Sequence, residues 1–495
     1  MNILLVYPKY PDTFWSFSKV LSFVSKKASY PPLGLLTVAS FLPKSWNKKV
    51  VDCNIENLKD SDIEWADMVF VSAMLVQKED AQKIISRAKS KNKIVVAGGP
   101  AFTTSHEEFK GVDHFVLNEG EITIPLFLED LKNKKLKKIY TSDLRPDITK
   151  TPIPMWDLIN IKDYACVQVQ YSRGCPFNCE FCDIIIMNGR IPRTKTSAQM
   201  IKEFEALYNI GWKGGVFIVD DNFIGNKVNV KEMLSSLIKW QKEHDYPFKF
   251  LTEASINLSE DEELMNLMSQ ANFEKVFLGI ETPSLESLKE CNKYQNVKKD
   301  LLTSVKEIQH HGMQVMAGFI VGFDNDKESI FQRQIDFIQK SGITTAMVGV
   351  LNALPQTQLW HRLKKENRIL SNSTGENCND SLNFISKMGN ETLIKGYKQI
   401  LKTIYSPINY YKRINVFLNN YIPTVKVKFS PNSIKPFFKS VWEIGILSNS
   451  RTLYWKLLAS TFFKNIQKFP LAVEMAIYGL HFEYITKKIL ANKSI

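Results

Sequence analysis

The sequence predicts an α/β protein of two successive parallel-sheet units followed by a mainly helical segment. Short runs rich in Val, Ile and Leu alternate with helical stretches from Met1 to about Asp130, and the alternation restarts near residue 161 and repeats six times. Strands of a parallel sheet are covered on both faces, so they read as unbroken apolar runs. After about residue 353 such runs stop, and helical stretches carrying aromatics and lysines replace them. The chain therefore divides into residues 1–140, a linker at 141–160, a second unit at 161–352 and a C-terminal unit at 353–495. At 495 residues and 44% hydrophobic, there is apolar material for about three cores.

In the first unit the strand-like runs are Asn2–Tyr7, Lys49–Cys53, Asp67–Ser72, Lys93–Ala97 and Val112–Leu117, with helices expected over Leu33–Leu42, Gln77–Ser90 and Ile122–Leu131. This order implies a doubly wound, flavodoxin-like sheet, in which ligands bind beyond the carboxyl ends of the strands. Ser72-Ala73-Met74, Gly98-Gly99-Pro100 and Glu119-Gly120-Glu121 fall at those ends. Glycine lets backbone approach a bulky ligand and a small hydroxyl can bond one, although tight strand-to-helix turns use the same residues for structural reasons alone. Pro146, Pro152 and Pro154 mark the linker. The second unit has strand-like runs at Val167–Tyr171, Val216–Asp220, Phe248–Glu253, Lys275–Glu281, Gln314–Val321 and Thr344–Leu351. Between them helices are expected over Ser197–Asn209, Asn229–His244, Glu260–Ala271, Val297–His311 and Lys327–Lys340. Six β/α units make a partial (β/α)6 barrel, whose site lies at the mouth formed by the strands' carboxyl ends.

The first barrel strand runs into Tyr171-Ser-Arg-Gly-Cys175-Pro-Phe-Asn-Cys179-Glu-Phe181-Cys182, three thiols at C-x-x-x-C-x-x-C spacing in one loop. Thiolates bind soft iron, and close spacing lets one loop wrap one cluster. Three cysteines would hold three irons of a four-iron, four-sulfur cubane and leave the fourth open to an outside ligand. A zinc loop is the alternative, but structural zinc normally takes a fourth protein ligand, and no second C-x-x-C knuckle or C/H cluster occurs in the chain. Cys53, Cys166, Cys291 and Cys378 are scattered and read as ordinary thiols, which fits a reducing compartment. The next three strands end in Asp220-Asp221-Asn222-Phe223, Thr252-Glu253-Ala254-Ser255 and Gly279-Ile280-Glu281-Thr282. Carboxylates there are placed to take ribose hydroxyls or an ammonium, or else to cap helices and form salt bridges at the barrel rim.

The cysteine spacing resembles the radical S-adenosylmethionine (SAM) superfamily, in which the methionyl amine and carboxylate of SAM chelate the open iron and the aromatic before the last cysteine, here Phe181, lies near the adenine. A doubly wound domain directly ahead of such a core resembles the superfamily's cobalamin-binding class. Phrases along nearly the whole chain are similar to the hopanoid-methylase-like subgroup, which ends in a domain of unknown function. They include Gly211-Trp212, Val219-Asp-Asp-Asn-Phe223, Thr252-Glu-Ala-Ser255, Gly318-Phe-Ile-Val-Gly-Phe-Asp324, Ala346-Met-Val-Gly349 and Tyr405-Ser-Pro407. The resemblance implies a 4Fe-4S cluster on Cys175, Cys179 and Cys182, and SAM near Phe181, Asp220, Asp221, Glu253, Glu281, Gly318 and Gly322. It also implies cobalamin near Ser72, Ala73, Met74, Gly98, Gly99 and Glu119.

Several positions depart from the family pattern. The methionine-binding GGE motif is absent, with Asp220 and Asp221 in its place, and Gly318-Phe-Ile320-Val-Gly322 matches G-x-I-x-G-x-x-E except that Asn325, flanked by Asp324 and Asp326, replaces the glutamate. The D-x-H-x-x-G signature is missing and His106 and His114 do not sit in one, so cobalamin is expected without a protein histidine on cobalt. Gln356 stands where the subgroup usually has glycine. Arg190, Arg193 and Lys195 are placed to neutralise a SAM carboxylate or the cobalamin phosphate, or are surface charge.

The activity implied is methylation of an unactivated carbon: SAM is cleaved to methionine and a 5′-deoxyadenosyl radical, which removes a substrate hydrogen before methyl arrives from methylcobalamin. Rearrangement or cyclisation with the same cofactors and a non-catalytic cobalamin and iron–sulfur sensor are the alternatives. RNA methylthiotransferases carry extra N-terminal cysteines and an RNA-binding module, so no nucleic acid is expected; the expected partner is an external electron donor of flavodoxin or ferredoxin type. Leu401–Ile495 holds 14 Lys and Arg against 3 Asp and Glu, most of the chain's net +13. Such a segment suits peripheral contact with an anionic membrane, an acidic partner, or a plain solvated face. The C-terminal unit is expected to cover the barrel mouth. No apolar run approaches the roughly 20 residues a spanning helix needs, and Ile3-Leu-Leu-Val-Tyr7 reads as a strand, so the expectation is a cytoplasmic protein peripheral to the inner membrane face.

Overall fold

The computed structural model of the chain describes residues 1–376, 382–423 and 434–491, which leaves Cys378 outside the described residues. The first sheet contains β1 (Asn2–Tyr7), β2 (Asn47–Asp52), β3 (Met68–Ser72), β4 (Ile94–Gly98), β5 (His114–Val116) and β6 (Ile139–Tyr140). Its strands are all parallel in the order β2-β1-β3-β4-β5-β6, the doubly wound arrangement expected. Ile3, Leu4, Leu5 and Val6 are fully buried, because helices cover both faces of β1. The reversal of order beside β1 opens a crevice at the carboxyl ends, and β3 and β4 bring Ser72 and Gly98 side by side there. Strand β6 was not foreseen: two residues at the sheet edge beside Lys137 and Lys138 carry no apolar periodicity.

The second sheet is a six-stranded parallel half-barrel of β7 (Cys166–Val169), β10 (Gly214–Ile218), β11 (Phe248–Ala254), β12 (Phe273–Glu281), β13 (Gln314–Val321) and β14 (Thr345–Val350), in that order. A short antiparallel pair, β8 (Ser172–Arg173) and β9 (Arg193–Thr194), clasps the two ends of the cysteine loop. The outer helices begin where side chains cap them. Thr196, Asn226, Asp261 and Asp300 each accept a backbone N–H of the first turn, and Asp300 is why the helix expected from Val297 runs over Leu301–His310.

The C-terminal helices do more than the lid role expected of them. Helix Asn390–Ile404 packs against the barrel helix Ser329–Ser341 so closely that a Cβ at Gly396 would lie 2.2 Å from the Phe331 ring. Helix Phe469–Ala491 turns back to the amino end of the barrel, where Glu474 pairs with Lys275 near the start of β12 and His481 meets the Phe14 carbonyl at 3.2 Å. Among the described residues the C-terminal unit borders the mouth through Leu354 and Pro355, just after β14, and Gly375. Among the described residues no helix is long and apolar enough to cross a membrane.

Candidate active site

The carboxyl ends of the two sheets face each other across one cavity of about 940 Å³. Every expected site residue except Gly318 and Gly322 lines it. No histidine does so among the described residues, which include His106 and His114.

Cys175, Cys179 and Cys182 occupy the barrel side of the cavity. Gly174 holds φ +98°, and a Cβ there would sit 2.8 Å from the Ile191 carbonyl, so the loop closes on itself only with glycine before Cys175. Asp221 accepts the Gly174 N–H at 2.8 Å and the Asn188 amide at 2.9 Å. Glu180, between the second and third cysteines, is gripped by Arg362 of the C-terminal unit at 2.5 Å. Gln295 donates toward the Cys179 sulfur at 3.7 Å. Among the described residues no three His, Cys, Asp or Glu converge on the place of one metal ion. Cluster thiolates have no need to, since each binds a different iron.

The four carboxylates expected near SAM separate into two kinds. Asp220 is 1% exposed and accepts the Tyr171 N–H at 2.8 Å and the Ser172 hydroxyl at 2.7 Å. Burial pushes its pKa up to about 7 against those bonds. Asp220 and Asp221 therefore brace the cysteine loop through its backbone, the structural reading of strand-end carboxylates. The Glu253 side chain has no hydrogen bond or ion pair among the described residues, and burial together with the Asp221 and Asp220 charges pushes its pKa up to about 7. Glu281 ends β12 at φ +62°, just past a register shift against β13, a conformation costing a residue with a Cβ roughly 1–2 kcal/mol. Its carboxylate meets Lys293 at 2.5 Å, in space that exists because Gly279 has no side chain: a Cβ there would lie 2.5 Å from the lysine nitrogen. Burial opposes the Lys293 charge, but Glu281 and the nearby Cys179 outweigh it and raise its pKa. Sequence reasoning missed Lys293 and Gln295, whose only signal was a polar run, Asn292-Lys293-Tyr294-Gln295-Asn296, that enters the short helix Tyr294–Val297 after β12.

The first sheet presents Ser72, Ala73, Met74, Gly98 and Gly99 to the same space. Gly99 has φ +96° and a Cβ would collide with the Ser72 hydroxyl at 2.6 Å, while one at Gly98 would lie 2.6 Å from the Val116 carbonyl. Neither glycine has room for a Cβ, so bare backbone faces the cavity at this turn. Glu119, expected among these ligand contacts, lines the cavity and is held by Arg173 at 2.8 Å, Arg193 at 2.9 Å and Arg145 at 3.5 Å. Glu121 takes Arg173 at 2.7 Å. This buried cluster ties the first domain to the cysteine loop. It uses up Arg193, and Lys195 is likewise consumed by Glu203.

Of the expected adenine-side glycines, Gly318 on β13 and Gly322 just past its end, neither lines the cavity itself. The open side of Gly318 faces Phe277, with a built Cβ 3.3 Å from its ring, and Gly322 at φ +111° lies under Leu393 of the C-terminal unit. Asp326 accepts the Gly322 and Phe323 N–H groups, and Asp324 binds Arg362 at 2.7 Å and Arg368 at 2.6 Å. Gln356 keeps φ +68°, so the turn retains the shape a glycine would give it.

A doubly wound domain facing the mouth of a half-barrel whose first loop carries three cysteines defines a cobalamin-dependent radical SAM enzyme. Family models agree in the same order: a B12 binding domain over residues 23–128, the radical SAM superfamily over 169–338 and a domain of unknown function (DUF4070) over 357–494. The chain is 43% identical to an uncharacterized methyltransferase of Synechocystis sp., over 97% of this chain and 91% of that protein. It is 32% identical to the hopanoid C-2 methylase of Rhodopseudomonas palustris, over 92% and 88% respectively. The solved structure of the cobalamin-dependent SAM radical enzyme OxsB, with aqua-cobalamin and SAM bound, shares the fold at a TM-score of 0.64 and 15% identity, covering 99% of this chain and 79% of that one. The chain belongs to the cobalamin-binding radical SAM methyltransferases that end in DUF4070, the family of the hopanoid C-2 methylase.

Proposed function

We propose that the enzyme methylates an unactivated carbon of an apolar, polycyclic-lipid-like substrate taken at a membrane surface. The observation that carries this is the single cavity shared by the cysteine loop and the first domain's strand ends, walled on the first-domain side by Leu33, Val38, Phe41 and Phe70. The residues fit the cofactors: three thiols on one wall, a glycine-shaped turn opposite and, among the described residues, no histidine between them. When bound, the cluster and cobalamin supply reductive SAM cleavage and a transferable methyl group.

The chain's own residues bind and orient. Cys175, Cys179 and Cys182 ligate the cluster, and Ser72, Ala73, Met74, Gly98 and Gly99 receive the corrin. Phe181 covers the adenine, and Glu281, aimed by Lys293 and by its own backbone, takes the ribose hydroxyls. Glu253 faces the cationic portion of SAM. Arg173, Glu119 and Glu121 set the separation of the two cofactor floors, since a reacting carbon must reach both. An external donor of flavodoxin or ferredoxin type would supply the electron that the cluster chemistry needs. The test is anaerobic mass spectrometry of reconstituted enzyme with trideuteromethyl-SAM and a lipid extract of the source cell. A lipid gaining the labelled methyl is expected. Labelled methyl appearing only in water-soluble products would refute the substrate class, and 5′-deoxyadenosine with an isomerised, unmethylated product would favour rearrangement.

A further inference from the structure

The C-terminal helices leave a band of aromatic side chains facing solvent. Helix Ile434–Ser440 continues into the wide turn Val441–Ile446, and Phe438 and Trp442, four residues apart, are 65% and 59% exposed. At the far end of helix Arg451–Lys464, Phe462 is 54% and Phe463 85% exposed. Ring contacts link the two exposed groups through Phe437 and Phe469, which are themselves partly buried. Rings run in contact from Phe438 to Phe437 (5.7 Å between centroids), Phe469 (5.9 Å), Phe462 (6.1 Å) and Phe463 (5.5 Å). A contiguous apolar patch of this kind on a folded surface marks a contact site.

Charge selects the occupant. From residue 434 to 469 the basic residues are Lys435, Lys439, Arg451, Lys456, Lys464 and Lys468, and Glu443 is the one acid, paired with Lys439. Lys456 and Lys464 make no ion pair among the described residues, whereas Lys468 is spent on the Leu418 carbonyl and Lys487 and Lys488 on Glu483 and Asp12. A second copy seated on the patch by two-fold symmetry would set these cations against their own kind. An anionic bilayer satisfies both halves: aromatics settle at the headgroup level, and each nearby lysine raises affinity on the order of fivefold.

We propose that the Phe438–Trp442–Phe462–Phe463 ridge, flanked by Lys456 and Lys464, is the surface by which the enzyme docks on an anionic lipid bilayer. The inference deepens the reading of an apolar substrate taken at a membrane and rests on it. The ridge lies on helices that do not line the active cavity, so docking and chemistry are separable.

The test is co-sedimentation of the cofactor-loaded full chain with phosphatidylcholine vesicles, with and without phosphatidylglycerol. Native protein should bind the anionic vesicles at low salt, and Phe438→Ser/Trp442→Ser/Phe463→Ser should bind at least tenfold more weakly while forming 5′-deoxyadenosine at the native rate. Lys456→Gln/Lys464→Gln should lose on the order of tenfold at low salt and flatten the salt dependence. Brominated acyl chains should quench the native protein's fluorescence more than that of Trp442→Phe, a readout independent of the triple variant's folding. Native binding that the triple variant retains, without Trp442-specific quenching, would overturn the ridge and leave the membrane reading intact. Methylation of lipid in detergent by a protein that ignores vesicles, or a dimer abolished by the triple variant, would overturn membrane docking and leave the apolar-substrate reading standing.

Discussion

Replacing Arg173 by Met keeps an unbranched side chain and removes four hydrogen bonds: one to Gln170 at 2.7 Å, one to Glu119 at 2.8 Å and two to Glu121 at 2.9 and 2.7 Å. Glu119 keeps Arg193 and Arg145, but Glu121, with a side chain 7% exposed, keeps no cation among the described residues and is left with the Thr151 hydroxyl at 2.7 Å and its own backbone N–H. Removing one partner of a buried ion pair costs roughly 3–5 kcal/mol, mostly the uncompensated charge left behind. At about 2–4 °C per kcal/mol for a domain of 150–250 residues, the apparent melting temperature should fall on the order of 10 °C. The pH dependence carries a sign. Burial alone would raise the Glu121 pKa, and Arg173 outweighs it to hold the carboxyl below its ordinary value. In the native protein its contribution is therefore present above the unfolded pKa of about 4.3 and lost as pH falls through the lower folded value. In Arg173→Met burial is opposed only by the remaining hydrogen bonds, the pKa rises, and the penalty should shrink as pH drops from 7 toward 5. Adding Glu121→Gln should recover part of the loss at neutral pH. Thermal scans of the three proteins between pH 5 and 8, with cobalamin retention on gel filtration, measure this. A melting temperature within 2 °C of native, or no rescue by Glu121→Gln, would refute the account of Arg173 as the joint between domains.

Changing Cys175, Cys179 or Cys182 to Ala should abolish cluster iron and 5′-deoxyadenosine formation, checked by iron analysis and chromatography; native levels in any one would remove it from the ligand set. Cob(II)alamin bound to the protein should give an electron paramagnetic resonance spectrum without nitrogen superhyperfine splitting from a lower ligand, and His106→Ala or His114→Ala should leave it unchanged. Glu253, with a folded pKa pushed up to about 7 against about 4.3 unfolded, stabilises fully below the unfolded value and progressively less as pH rises through 7. Glu253→Gln apoprotein should therefore match native near pH 4 and gain on it toward pH 8, and a pH-independent difference in melting temperature would contradict this. At Gln356, φ +68° predicts that Gly leaves stability within about 0.5 kcal/mol of native, whereas Val costs roughly 1–2 kcal/mol in denaturant melts.

What the sequence determined alone is what depends on neighbours along the chain. Unbroken apolar strands alternating with 3.6-period helices specify parallel α/β layers, and β13 spans the expected Gln314–Val321 because its pattern is local. The cysteine loop was legible for the same reason, since three thiols within eight residues need no fold to bring them together. Side chains whose role depends on a distant partner were not legible. Asp220 and Glu119 look like ligand contacts in the sequence, and only tertiary structure aims one at the cysteine-loop backbone and the other at arginines 54 and 74 residues away. Lys293 gains its place from the strained end of β12 and an absent side chain at Gly279. The aromatic ridge shows the limit most plainly: Phe438 and Phe437 are neighbours of identical chemistry, yet one is 65% exposed and the other packs against the core. Hydrophobicity is a property of the residue, whereas burial belongs to the contacts around it, and those are set by chain brought back from hundreds of residues away.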